Sequence, residues 1–139
     1  PVAAGIDHFI RISVYLENPL ELNLRIFPDK WVNKLFKTLR FKKEQDIEIG
    51  NEDFDKAFVV QGNNENAIKE ILKPELIDKI MYFQNQKPTL IDKKCRIEIY
   101  DNQVIVTAGN FAQDQVYNVK EDKDGIVSKL LEIAKLLKV

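Results

Sequence analysis

The chain has 139 residues, the length of one ordinary domain, and its 45% hydrophobic and 31% charged content exclude a disordered segment, a collagen-like repeat and a coiled-coil rod. With 21 Lys and Arg against 22 Asp and Glu the net charge is -1, so the global basic footprint of a nucleic-acid binder is missing and no nucleic acid is expected as a partner. One Cys and one His exclude an intrachain disulfide and a four-ligand Cys/His zinc site, and no run of about 18 apolar residues is present to cross a membrane.

In chain order, Ile10, Ile12, Val14 and Leu16 alternate with Arg11, Ser13, Tyr15 and Glu17, the period of a half-buried strand. Leu20, Leu22, Leu24 and Ile26 repeat it, and Asn18-Pro19 between them is turn chemistry, so the two runs are expected to form a hairpin ended by Pro28. Asp29 suits the N-cap of a helix from Lys30 to about Arg40. Trp31, Val32, Leu35, Phe36 and Leu39 share one arc of that helix, and Lys30, Lys34, Lys37 and Arg40 fill the other. Residues 30–43 carry six basic groups and no acidic one. Residues 44–55 carry Glu44, Asp46, Glu48, Glu52, Asp53 and Asp55 and no base.

Within that acidic stretch Asp46-Ile47-Glu48-Ile49 alternates as a strand broken at Gly50, and Phe58-Val59-Val60 forms a short apolar strand closed by Gly62-Asn63. Asn64 caps a helix carrying Ala67, Ile68, Ile71 and Leu72. Pro74 stops that helix and suits the first position of another, which carries Leu76, Ile77, Ile80 and Met81 and ends near Asn85. Cys95, Ile97 and Ile99 alternate with polar neighbours and turn at Asp101-Asn102 into Val104, Ile105 and Val106, a second hairpin. A strand at 116–119 precedes a turn, and Asp124 is expected to cap a last helix whose residues Ile126, Val127, Leu130, Leu131, Ile133, Ala134 and Leu137 cover a wide apolar arc. The whole, residues 1–139, is expected to be one α+β domain, a mainly antiparallel sheet built from hairpins with helices packed on it.

Candidate sites are few. His8 and Cys95 have no partner motif and are expected to be an ordinary histidine and a small core hydrophobe. Asp122-Lys123-Asp124-Gly125 fails as a calcium loop, because Lys120 and Leu131 stand where acidic ligands belong. The sharpest binding candidate is the basic helix, Lys30, Trp31, Lys34, Lys37 and Arg40, which suits an anionic membrane surface or a protein partner. The alternative is a metal-assisted hydrolytic site built from Asp46, Glu48, Asp53 and Asp55, whose carboxylates suit a hard cation. No cofactor is expected.

The stretch from Gln45 to Phe83 carries Asp46-Ile47-Glu48-Ile49-Gly50, Phe54-Asp55-Lys56, Phe58-Val59-Val60 and Leu72-Lys73-Pro74-Glu75-Leu76. It resembles a pattern in uncharacterised bacterial proteins whose soluble domain follows membrane-spanning segments, and the hairpin from Arg96 to Val106 fits as well. That resemblance implies a bacterial, membrane-associated parent of unknown biochemical activity and supplies no catalytic residues. The chain opens on Pro1, so it is expected to be a fragment of that longer, membrane-anchored protein, with the domain acting as a non-catalytic interaction module.

Overall fold

The computed structural model describes residues 10–29, 47–85, 95–108, 120–122 and 125–138. Among these, five strands form one antiparallel sheet: β1 Ile10–Tyr15, β2 Arg25–Pro28, β3 Phe58–Gln61, β4 Cys95–Tyr100 and β5 Gln103–Ala108, in the order β1-β5-β4-β2-β3. Four helices accompany it: α1 Glu52–Ala57, α2 Glu65–Ile71, α3 Pro74–Asn85 and α4 Ile126–Leu136. The α+β expectation therefore holds. The helix expected over 30–40, the strand over 116–119, His8 and the cap Asp124 lie outside the described residues, as does the side chain of Cys95.

Local chemistry sets the elements wherever it is unambiguous. The β4–β5 hairpin pairs Ile99 with Val104 across the two-residue turn Asp101-Asn102, and the register carries Ile97 opposite Val106. The Asn64 side chain accepts from the Ala67 amide at 3.1 Å, capping α2, and Pro74 opens α3. Ile12, Val14, Ile26, Phe58, Val60, Ile97, Ile99, Val104 and Val106 share one face of the sheet with the apolar stripes of the helices, including Leu76, Ile80, Phe83, Ile126, Leu130 and Ile133. Helix α3 lies against β4, α4 against β1 and β5, and α1 against β3. Lys79 pairs with Glu132 at 3.2 Å, and Lys129 sits 4.2 Å over the Tyr82 ring, so α3 and α4 are also tied at their surface.

Four expectations are corrected. First, β1 and β2 are not a hairpin, because β5 and β4 stand between them in the sheet. The chain leaves β1 and crosses the β4–β5 turn with Leu20, Leu22 and Leu24 buried, but Glu21 and Asn23 take positive φ of 57° and 51°, which a strand does not allow. The Asp101 carboxylate holds this crossing: Oδ1 accepts from the Leu22 amide at 3.2 Å and the Leu24 amide at 2.8 Å, and Oδ2 from the Asn23 amide at 2.8 Å. Gly62 packs beneath the same segment, with the Leu22 carbonyl 3.1 Å from where its Cβ would stand. The Asn63 amide donates to that carbonyl at 2.9 Å.

Second, residues 47–49 form no strand; the Ile47 amide donates once to the Val60 carbonyl at 2.8 Å, covering the outer edge of β3. Third, the acidic stretch contains a helix, α1, capped by the Asn51 side chain on the Phe54 amide and stacked through Phe54 on Phe58 with ring centroids 5.1 Å apart. Fourth, the start of α4 is capped from Asp122, whose carboxylate accepts from the Val127 and Ser128 amides and from the Ser128 hydroxyl at 2.7–3.0 Å. Gly125, at φ 67°, makes the left-handed bend that brings Asp122 into place.

Candidate functional site

Strand β1 ends the described sheet, and the way it ends creates a surface. On β5 the core-facing residues Val104 and Val106 are fully buried, whereas their partners Val14 and Ile12 on β1 are only half-buried, as is Leu16. Helix α4 covers that row incompletely. Its buried residues Ile126, Leu130, Ile133 and Leu137 follow a spacing of four, three and four, a narrow stripe that leaves Leu131 about 100° round the helix and 45% exposed. The expectation that Leu131 belongs to the packed arc is thereby corrected.

Between the end of β1 and the last turns of α4 lies an open groove of about 560 Å³. Tyr15, Leu16, Pro19 and Leu20 from the strand and its exit, and Leu131, Ala134 and Leu137 from the helix, line it. Lys135, Lys138 and Glu17 supply charge among the lining residues. Tyr15 is 70% exposed, and it and Leu131 are the exposed large hydrophobics among the described residues. Both line this one groove, and an apolar pair at a concave, charge-rimmed surface is the composition of a binding site.

A polar cluster occupies the opposite face of the sheet. Glu98, only 8% exposed, accepts a hydrogen bond of 2.8 Å from the Tyr100 hydroxyl. Burial first, then that bond and the Glu98 charge, push the Tyr100 phenol up to about 12, against the smaller opposing pull of Arg11 and Arg25. Tyr100 stands opposite Arg25, which stands opposite the buried Gln61, so the row runs across three strands of that sheet face.

The residues expected to bind, Lys30, Trp31, Lys34, Lys37 and Arg40, lie outside the described residues, as does Asp46. The remaining acidic candidates serve local structure. Asp55 accepts from the Ile49 amide at 2.9 Å and the Gly50 amide at 3.0 Å, so both its oxygens hold the turn before α1. Asp53 is exposed in the first turn of α1, where a negative charge favours the helix, and Glu48 is exposed on the preceding loop. Among the described residues no group of three His, Cys, Asp or Glu is placed to hold a metal ion. The groove residues went unrecognised in the sequence because Tyr15 reads as the polar half of an alternation and Leu131 as one more apolar position in a helix. The signal was the spacing of the other four.

An antiparallel sheet carrying its described helices on one face, with an open groove where β1 meets the last helix, defines an α+β domain. The family described as protein of unknown function (DUF3137) matches residues 10–135, and the chain belongs to it. No curated protein and no solved structure matches the chain. No helix among the described residues is long and apolar enough to cross a membrane.

Proposed function

We propose that the domain is the non-catalytic interaction module of a bacterial membrane-associated protein, and that the groove between β1 and α4 takes a protein partner. One observation carries this reading: the two exposed large hydrophobics, Tyr15 and Leu131, are both among the residues that line the groove. Isolated surface apolar residues are ordinary, but two at the lining of one groove expose area that a partner would remove from water. The setting in a membrane-associated bacterial parent is supported by the resemblance of residues 45–83. The test is a photo-crosslinking residue in place of Tyr15 in the native cell, with the same residue in place of exposed Glu65 as control. A discrete protein adduct at position 15, lost when Leu131→Glu is added, is the expected result. Adducts to lipid, or equal adducts at both positions, would overturn it.

A further inference from the structure

The helix side of the groove is apolar toward one end and basic toward the other. Leu131 and Lys135 stand one turn apart on α4, about 6 Å along its axis, and Lys138 follows just past the end of the helix. Both lysines are exposed, and neither forms an ion pair among the described residues, whereas Lys56, Lys69 and Lys79 are each paired at 2.9–3.2 Å. Glu132, the acidic residue beside them on α4, is held by Lys79 and lines a different hollow, between α3 and α4. Against the two lysines the groove lining sets Glu17, on the strand side. The helix side therefore offers an apolar contact and, one turn further on, two cations with no acid of their own.

We infer that the occupant of the groove is a segment of the partner protein in which an apolar side chain is followed, about 6 Å along, by an Asp or Glu. The apolar residue covers Leu131 and Tyr15, and the carboxylate meets Lys135 and Lys138. The inference rests on the reading of the groove as a protein-binding site and states the chemistry of that protein. Such a separation is one turn of a helix or two residues of an extended strand, and in either form the acidic end of the segment lies toward the C-terminal end of α4. The two halves of the pattern do different work. Apolar contact removes the exposed ring and the exposed Leu131 side chain from water, and the lysine stems extend that surface past Ala134. The charges select: a Lys or Arg at the same place in a competing segment would set like charges side by side, which rejects it. An open groove leaves much of a small ligand in water, whereas a chain segment buries its outer side beneath its own protein.

The test keeps the photo-crosslinking residue at position 15 in the native cell and adds Lys135→Glu/Lys138→Glu. The protein adduct should fall about tenfold or more, while Lys135→Arg/Lys138→Arg retains it. Lys56→Glu/Lys73→Glu, an equal change of net charge away from the groove lining, should leave it intact. A synthetic peptide of the crosslinked segment, titrated against the purified chain by fluorescence anisotropy, should bind about tenfold more weakly when its Asp or Glu is changed to Lys, and the charge-reversed groove should regain that peptide. The peptide variant reads the same contact in the unaltered chain, so the inference stays testable even where reversal on α4 disturbs folding. An adduct indifferent to the groove reversal, an equal loss in Lys56→Glu/Lys73→Glu, or a crosslinked segment without an acidic residue would overturn the charge pattern and leave the groove a protein site. Absence of any protein adduct at position 15 in the otherwise unchanged chain overturns the proposed function as well.

Discussion

Replacing Asp101 with Ala should be among the most damaging polar substitutions in the protein, although the residue sits on a two-residue turn. Its carboxylate accepts three backbone amides from a segment 77–79 residues earlier in the chain. The Leu22 and Leu24 amides are partly buried, and Leu22 and Leu24 themselves are anchored in the core, so the segment cannot swing out to hydrate them. Each unsatisfied amide costs about 1–3 kcal/mol, while the exposed Asn23 amide finds water at little cost. The sum is about 3 kcal/mol. At roughly 2 cal/mol/K of unfolding entropy per residue, 139 residues give about 0.3 kcal/mol/K, so the melting temperature should fall by roughly 10 °C. Asp101→Asn keeps one accepting oxygen for Leu22 and Leu24 and should lose only about 1 kcal/mol. Calorimetric melts give the totals, and native-state amide exchange locates them: Leu22 and Leu24 should exchange faster in Asp101→Ala than the global loss requires. A loss under about 1 kcal/mol, or exchange at those two amides that merely follows global unfolding, would refute the reasoning.

Three further outcomes follow from the same geometry. Gly62→Ala should lose about 1–2 kcal/mol, because a Cβ there collides with the Ile68 side chain and crowds the Leu22 carbonyl; adding Ile68→Val, which deletes the colliding methyl, should be less costly than the two single losses combined in denaturant melts. The phenolate absorbance of the native protein should show a late phase near pH 12 that Tyr100→Phe removes and Glu98→Gln moves downward. Because the native phenol holds its proton above the ordinary value of 10, the stability it contributes is fully present below pH 10 and is lost between about pH 10 and 12. Partial exposure of the ring keeps that loss near 1 kcal/mol. Adding Mg²⁺, Mn²⁺ or Ca²⁺ should leave the melting temperature unchanged, since the Asp55 oxygens are already held by backbone amides. A rise that Asp55→Asn abolishes would instead favour a cation site in the acidic stretch.

What could be read from the sequence was whatever short-range chemistry decides. The Asp101-Asn102 hairpin, the Asn64 cap and the Pro74 start each depend on residues within a few positions of one another, and each stands where the pattern puts it. The pairing of β1 was not of that kind. Two alternating runs separated by Asn18-Pro19 fit a hairpin as well as they fit strands three places apart in a sheet, and only a carboxylate some 80 residues later decides between them. Asn23, a residue tolerant of positive φ, was a hint, but Glu21 is not one. Helix α1 has six residues, too few to show a period, and its evidence was confined to the Asn51 cap and the acids that follow. The groove could not be read because exposure belongs to how far α4 reaches over β1, which no window of sequence contains.

The crossing over the β4–β5 turn also orders events during synthesis. Strand β1 leaves the ribosome well before its partner in the sheet, which spans residues 103–108, and before the carboxylate that fixes its exit, residue 101. At typical rates of 5–20 residues per second, the first strand waits roughly 5–20 s for the hairpin that completes it. Throughout that interval the edge that β5 later takes is open, and any other nascent copy on the same messenger offers an identical strand. A strand whose sheet partner follows so much later depends on hairpin formation outpacing encounter between neighbours.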